Sequence, residues 1–146
     1  MKEVRFFFDP DIKGELPEEE ARHAVKVLRL TAGDTIYLMD GKGSYYEAEI
    51  TTATGHRCFY KVMEEQPQPA AWTGHLHLAM APTKMMERVE WFAEKACEMG
   101  FDELSPVIGE HSERRILKTA RVEKILVSAA KQSLKAAVPV VNEPVS

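Results

Sequence analysis

Residues 75–81, HLHLAMA, decide the fold of the second half of this chain, because polar and apolar side chains alternate along them as on a half-buried β-strand. Residues 84–99 then repeat apolar side chains at helical spacing. A strand at residues 103–108, a helix from Lys118 onward and a strand at residues 138–141 complete the pattern. The order β-α-β-α-β predicts a parallel sheet with right-handed crossovers, that is, half of a doubly wound α/β domain with helices on both faces of the sheet.

The first half of the chain has the pattern of a small β-barrel. Pro17 precedes three glutamates and predicts a helix to about Leu28, because proline needs no amide partner at a helix start and carboxylates favour the positive end of the helix dipole. Strands are expected at residues 5–8, 35–39, 45–51 and 57–63, with a hairpin loop at residues 40–43. Short strands at this spacing are typical of a small barrel.

A proline-rich stretch separates the two halves. Pro67 and Pro69 lack the amide donors that a central strand needs, and they favour extended backbone. We therefore expect a β-barrel domain over residues 1–66, a linker over residues 67–72 and an α/β domain over residues 73–146.

The composition is that of an ordinary globular protein. The chain has 146 residues, of which 45% are hydrophobic and 29% charged. It contains no apolar run near the roughly 20 residues that a membrane-spanning helix needs. Residues 1–10 lack the long apolar core of a secretory signal. We expect a cytoplasmic protein that does not enter a membrane.

Neither the cysteines nor the histidines form a recognisable metal motif. Cys58 and Cys97 lie on different predicted elements without CxxC spacing, so free thiols are expected. His75 and His77 share one face of a strand, but the neighbouring sequence offers no suitable third ligand. We expect no metal site.

Positive charge is concentrated near the end of the chain. Residues 111–137 contain seven cations and two anions, in a chain whose net charge is −4. From Lys118 onward one face of a helix is predicted to be mostly basic and the other apolar, because polar side chains recur every three or four residues at Lys118, Arg121, Lys124, Ser128, Lys131 and Lys135. Such a stripe is typical of a solvated helix surface, and it is also the electrostatic footprint of a nucleic-acid site.

A further cation occupies an unusual position. Thr83 is a suitable N-cap for the helix that follows, yet Lys84 puts a positive charge at the positive end of the helix dipole. Either Lys84 serves a binding function, or it pairs with Glu87 one turn further on.

Two groups of motifs resemble those of one family. The N-terminal PUA-like barrel of bacterial 16S ribosomal RNA uridine-N3 methyltransferases is similar to residues 23–29 (HAVKVLR), 33–34 (GD) and 40–43 (DGKG), with Tyr46, Glu47, Ala48 and Ile50. The second group is similar to the opening of the knotted SPOUT methyltransferase domain of that family. It consists of Lys84, Met86, Glu87, Pro106 and residues 95–100 (KACEMG), 112–115 (SERR) and 130–133 (AKQS). The likeness extends along essentially the whole chain.

The resemblance implies an enzyme that transfers a methyl group from S-adenosylmethionine to N3 of a uridine in small-subunit ribosomal RNA. It also implies a barrel that helps to hold the RNA, and a knotted domain that dimerises around the cofactor. The residues expected to contact RNA are Arg29, Lys84, Arg114, Arg115, Gln132 and Lys135. No residue is assigned as a catalytic base.

The chain departs from the family in two respects. The Gly-rich loop and the later Leu-Gly segment that form the family's knot and bind S-adenosylmethionine do not occur, and no G-x-G-x-x-G loop replaces them. Leu134-Lys135 stands where the family commonly has Gly-Arg. We therefore expect this chain to supply RNA contacts, to be inactive alone and to bind no cofactor, with the methyl-donor site lying past Ser146.

Two other functions are compatible with the sequence. The chain could be a non-catalytic RNA-binding or scaffold module, since the cofactor motifs do not occur. The basic stripe could instead be an interface for an acidic protein partner.

Overall fold

The computed structural model describes residues 6–69 and 73–146. The chain divides into two compact units, Met1–Pro69 and Ala70–Ser146. Arg5, which belongs to the first predicted strand, and residues 70–72 of the predicted linker lie outside the described residues. Among the residues that are described, no helix has both the length and the apolar character needed to cross a bilayer.

The first unit is built on a four-stranded sheet in the order β1-β2-β3-β4. The strands are β1 (Phe6–Phe8), β2 (Thr35–Met39), β3 (Ser44–Thr54) and β4 (Arg57–Pro67). β1 pairs in parallel with β2, and the other two pairs are antiparallel. The bounds of β2 agree with the prediction. β3 and β4 are longer than predicted. The second half of β4 carries charged side chains and ends at Pro67, and an edge strand tolerates both features.

The chain that leaves β1 closes this sheet. The amide of Leu16 donates to the carbonyl of Cys58 at 2.9 Å, and the amide of Tyr60 donates to the carbonyl of Gly14 at 2.9 Å. Residues that follow β1 thus pair with β4, the strand at the opposite edge, so the sheet closes into the small barrel that the sequence predicts. The core consists of Phe7, Leu16, Ala21, Ala24, Leu30, Ile36, Leu38, Ala48, Ile50, Cys58 and Tyr60.

One helical segment packs against the barrel core. It begins as α1 (Glu18–Arg22) and continues as a π-helical turn, His23–Val27, in which the amide of Leu28 donates to the carbonyl of His23 at 3.0 Å. The predicted helix is therefore confirmed, but its second half is wider than an α-helix. Such widened turns are rare in proteins, and many of those that occur lie at functional sites.

The second unit contains a three-stranded parallel sheet in the order β5-β6-β7. Its elements are β5 (His77–Met80), α2 (Met86–Met99), β6 (Glu103–Pro106), α3 (Thr119–Gln132) and β7 (Val140–Val141). The predicted β-α-β-α-β order is confirmed, with strands shorter than predicted.

Both helices of this unit lie on the same face of the sheet, which corrects the expectation of helices on both faces. Cys97 of α2 is buried against α3, with its Sγ 3.6 Å from the carbonyl oxygen of Leu126. The strands lie in the sheet in the order in which they occur along the chain, so both crossover connections run towards the same edge of the sheet. Because both crossovers are right-handed, both helices then lie on the same face. Leu104 faces these helices and is buried, whereas His77 on the opposite face is exposed.

Candidate functional site

Three of the residues predicted to contact RNA lie together at one edge of the second unit. Lys84 belongs to the β5 loop (residues 81–85), which follows β5, while Arg114 and Arg115 belong to the β6 segment (residues 107–118), which follows β6. β5 and β6 are parallel neighbours, so both connections leave the sheet at its carboxyl edge. Open parallel sheets bind their ligands at that edge.

Arg114 joins the two connections directly. Its Nε donates to the carbonyl oxygen of Thr83 at 3.0 Å, and its Nη2 donates to the carbonyl oxygen of Lys84 at 2.6 Å. The planar guanidinium presents several donors in a fixed fork, which suits two neighbouring acceptors. Arg114 is half-buried and holds the β5 loop against the β6 segment.

Arg115 and Lys84 are more open to solvent. Arg115 is exposed, and its Nη2 donates to the carbonyl oxygen of Glu110 at 2.7 Å, within the β6 segment itself. The Nζ of Lys84 lies 3.9 Å from Oε2 of Glu113, and the Lys84 side chain is 81% exposed. A pair this long and this exposed leaves the lysine available to another anion.

Two adjoining clefts of about 490 Å³ and 430 Å³ open on these residues. Lys84 and Glu113 belong to both clefts. The larger cleft is lined by Ala81, Pro82, Thr83, Lys84, Gly109, Glu110, His111, Ser112 and Glu113. The smaller one is lined by Lys84, Glu113, Arg114, Arg115 and Ile116. Cations thus concentrate in the smaller cleft.

The local structure around Lys84 differs from the sequence prediction. α2 begins at Met86 after Met85, so Thr83 is not its N-cap and Lys84 precedes its first turn. The hydroxyl of Thr83 donates to the carbonyl of Met85 at 3.0 Å instead of accepting from a helix amide. The ion pair of Lys84 is with Glu113 and not with Glu87 as one alternative proposed. Lys84 is therefore a loop residue at the carboxyl edge of the sheet.

The basic stripe along α3 is partly matched by acids of α2. Arg121 forms an ion pair with Glu90, whose side chain is only 21% exposed. Lys124 shares a shallow cleft of about 240 Å³ with Glu94 of α2. Part of the stripe thus joins the two helices rather than forming a free cationic surface.

Gln132 and Lys135 lie at the other end of α3 from Arg114 and Arg115. The 14 residues of α3 span roughly 21 Å at 1.5 Å per residue. Gln132 lines the shallow cleft between the helices. Burial raises the pKa of the Cys97 thiol to about 11, and the positive charge of nearby Lys135 acts in the opposite direction. The structure therefore does not bring these two residues to the carboxyl edge.

Arg29 lies in the first unit, directly after the π-helical turn. Its φ of 53° is in the left-handed region, which is uncommon for a residue other than glycine. The side chain is exposed. Arg29 belongs to a candidate surface of the first unit.

The sequence did not reveal a polar network on the open face of the second sheet. Oε2 of Glu103 accepts from the side-chain Nδ2 of Asn142 at 2.5 Å, and Oε1 of Glu103 lies 2.8 Å from Nε2 of His75. His77 Nε2 lies 2.7 Å from the hydroxyl oxygen of Ser105. The hydrogen bonds from Asn142 and His75 lower the pKa of Glu103. The register of β5, β6 and β7 makes these residues neighbours, and within the described part of the chain no cluster suited to a metal is found.

Comparison with known families assigns the chain. A model described as the RNA methyltransferase domain matches residues 70–146, and one described as the RNA methyltransferase PUA domain matches residues 16–63. The chain belongs to the RNA methyltransferase family. The family resemblance stated from the motifs is confirmed, as is the PUA-like character of the first unit.

Solved structures agree with this membership. A probable rRNA methyltransferase from Porphyromonas gingivalis is 45% identical, with a TM-score of 0.89, and the alignment covers 97% of this chain and 61% of that one. A ribosomal RNA small subunit methyltransferase E from Neisseria gonorrhoeae, bound to S-adenosyl methionine, is 28% identical, with a TM-score of 0.84 and coverage of 97% and 62%. The RNA methyltransferase chain described here thus spans about three fifths of the length of these relatives.

Proposed function

We propose that this chain is the RNA-binding part of a ribosomal RNA methyltransferase that acts on N3 of a uridine in the small-subunit RNA. The observation that carries the proposal is the meeting of Lys84, Arg114 and Arg115 at the carboxyl edge of the sheet, in a member of the RNA methyltransferase family. The small-subunit methyltransferase from Neisseria gonorrhoeae supports the choice of RNA. We expect the protein to act in the cytoplasm on ribosomal RNA.

The residues of this chain would hold and orient the RNA. Lys84 and Arg115 are exposed cations that can contact backbone phosphates, and such contacts fix the register of an RNA without reading its sequence. Orientation matters because the uridine N3 must lose its proton and face the methyl group, and a fixed geometry removes much of the entropic barrier to transfer. S-adenosylmethionine would supply the methyl group when bound. Arg29 in the first unit, and Gln132 and Lys135 at the far end of α3, remain candidate contacts.

The two clefts at the carboxyl edge do not fit the methyl donor. S-adenosylmethionine carries a positively charged sulfonium, whereas Lys84, Arg114 and Arg115 make the smaller cleft cationic. Lys84 lines the larger cleft too, and neither cleft contains a Gly-rich loop of the kind on which the resembled family holds the donor. We therefore propose that this chain alone binds no S-adenosylmethionine and is inactive.

RNA binding is tested by fluorescence anisotropy with a labelled single-stranded oligouridylate at several salt concentrations. The affinity should fall as salt rises, with a log-log slope of about −0.7 for each neutralised phosphate. Lys84→Ser and Arg115→Ser should each weaken binding and make the slope less negative. Lys95→Ser on α2 removes a cation far from this edge and serves as the control. Failure of the unaltered chain to bind at low salt would contradict the proposal.

The methyl donor is tested separately by calorimetry. We expect no heat of binding when S-adenosylmethionine is titrated into this chain, and no methyl transfer to small-subunit RNA. Micromolar binding would show that a donor site exists within these 146 residues. The RNA-binding measurement is independent of this result.

The alternative of an acidic protein partner finds less support. The basic stripe of α3, on which such a partner would bind, is interrupted where Arg121 pairs with Glu90. A protein interface there would depend on the face of α3, so Lys124→Ser would weaken it while Lys84→Ser would leave it unchanged. The RNA proposal predicts the opposite result, in which Lys84→Ser weakens binding more than Lys124→Ser does.

A further inference from the structure

We infer that Arg114 is a positioning residue, which holds Lys84 in place for an RNA phosphate and does not itself make the main phosphate contact. The inference rests on the proposed RNA-binding function. It assigns different tasks to two neighbouring arginines that the sequence treats alike, Arg114 and Arg115.

The contacts of the two guanidinium groups differ in what they connect. Arg114 donates across 31 and 30 residues of sequence to the carbonyls of Thr83 and Lys84. Arg115 donates to the carbonyl of Glu110, five residues away in its own segment. Only the first of these arrangements links the β5 loop to the β6 segment.

The bonds of Arg114 restrain the two peptide units on either side of the Cα of Lys84. The carbonyls of Thr83 and Lys84 flank the backbone of Lys84, so holding both oxygens restrains the residue from either side. The side chain of Lys84 remains 81% exposed. A flexible side chain on a fixed backbone loses less entropy on binding than one on a mobile loop.

Besides the bonds from Arg114, the β5 loop is held by the burial of Pro82, by the long ion pair of Lys84 with Glu113 and by local bonds. The hydroxyl of Thr83 bonds locally to the carbonyl of Met85, and the amide of Arg88 bonds to the same carbonyl at 3.1 Å. Both bonds lie within the loop and the start of α2. The two bonds from Arg114 tie that loop to the next connection across the carboxyl edge, beside the clefts.

Arg114 still contributes its positive charge to the smaller cleft, and charge alone would survive replacement by lysine. A lysine ammonium is a compact charge on a flexible stem and cannot reproduce the planar fork. Arg114→Lys therefore separates the two functions, because it keeps the charge and removes the two-point connection. Arg115→Lys is the matched control for the restraint of the β5 loop, since the bond of Arg115 lies within the β6 segment.

The experiment combines backbone relaxation by NMR with RNA binding by anisotropy, using the labelled oligouridylate. In Arg114→Lys and Arg114→Ala, the amide order parameters of residues 83–85 should fall from near 0.85 to below about 0.6. Both variants should bind the RNA about tenfold more weakly, because the loop must then be ordered on binding. Arg115→Lys should retain the order parameters of residues 83–85, and Lys95→Ser, whose side chain lines neither cleft, should retain both the order parameters and the affinity.

A double-mutant cycle shows whether Arg114 acts through Lys84. In the Lys84→Ser background, Arg114→Lys should cost much less affinity than in the unaltered chain, with a coupling of at least about threefold. Additive losses, or unchanged order parameters in Arg114→Lys, would overturn the inference. If the unaltered chain bound no RNA, the proposed function would fail, while the order parameters, measured without RNA, would still decide whether Arg114 restrains the loop.

Discussion

The hydroxyl of Tyr60 donates a 2.6 Å hydrogen bond to the side chain of Asp9, and both residues are buried. The other carboxyl oxygen of Asp9 accepts from the amides of Asp11 and Ile12. Tyr60 belongs to β4, whereas Asp9 follows β1. One bond thus joins the turn after the first strand to the strand at the opposite edge of the sheet, where the barrel closes.

Replacing Tyr60 by phenylalanine should destabilise the first unit. The variant keeps the ring in the core but leaves a buried carboxyl oxygen without its partner, which costs about 1.5–3 kcal/mol for a charged group. Urea unfolding followed by circular dichroism measures the change. Tyr46→Phe is the matched control, because the Tyr46 hydroxyl bonds to Asp40 and Glu65 at a more exposed position and should matter less. Equal losses in the two variants would contradict this account of barrel closure.

Alkaline pH should destabilise the protein through the same tyrosine. Burial, and then the hydrogen bond to Asp9, raise the pKa of Tyr60 above the ordinary value. The unfolded chain therefore loses this proton first, and stability is full below about pH 10 and declines as the pH rises further. The decline from one such group is at most about 1.4 kcal/mol per pH unit.

Unfolding in urea at a series of pH values above neutrality measures that decline. Tyr60→Phe should start from a lower stability at pH 7 and lose less between pH 10 and 12. Tyr46, whose pKa burial raises to about 12, contributes in the same direction. If Tyr60→Phe and the unaltered chain lost stability in parallel, the folded pKa of Tyr60 would not be the cause.

The sequence predicts the elements whose signals are local. β2 is found at the predicted residues, and the order of strands and helices in the second unit follows from the periods of two and 3.6 residues. The π-helical turn at His23–Val27 was not predicted, because its apolar spacing is close to that of an ordinary helix. The single-sided helix layer also depends on strand order in space, which periodicity does not encode.

The candidate site is less predictable for a related reason. Charge marks Lys84, Arg114 and Arg115 as possible ligands, and the parallel strands bring them to one edge. The acceptors of Arg114 are backbone carbonyls some 30 residues away, and every residue has such a carbonyl, so no sequence signal singles them out. The same holds for Glu103, whose bonds to His75 and Asn142 appear only when the register is known.

Acid should destabilise the second unit through Glu103. Hydrogen bonds from Asn142 and His75 lower the pKa of Glu103 in the folded state. Its contribution is therefore present above the ordinary glutamate pKa of about 4.3 and is lost as the pH falls through the lower folded value. Glu103→Gln should give a less steep loss of stability below pH 4.5, measured by thermal unfolding.

The first unit offers a matched comparison for this acid effect. Glu15 has a lowered pKa because Arg57 forms two hydrogen bonds with its carboxylate. Glu15→Gln should reduce the acid sensitivity in the same pH range. If Glu103→Gln kept the full acid sensitivity of the unaltered chain, the network on the open sheet face would not be linked to stability.

Leu134 should be improved by glycine, which the resembled family commonly has at this position. α3 ends at Gln132, and Leu134 adopts a φ of 56° so that the amide of Lys135 can donate to the carbonyl of Ala130 at 2.8 Å. A side chain in this left-handed conformation costs roughly 1–2 kcal/mol. Leu134 is 60% exposed, so little apolar burial is lost with it. Glycine also gains entropy in the unfolded chain, which offsets about 0.5–1 kcal/mol. The net gain for Leu134→Gly should be about 0.5–1 kcal/mol, measured as the free energy of unfolding in urea.

Leu134→Ala is the control, because it removes the same exposed atoms but keeps the Cβ, and it should give no such gain. A loss of stability in Leu134→Gly would mean that the leucine side chain makes a packing contribution larger than the strain of its backbone.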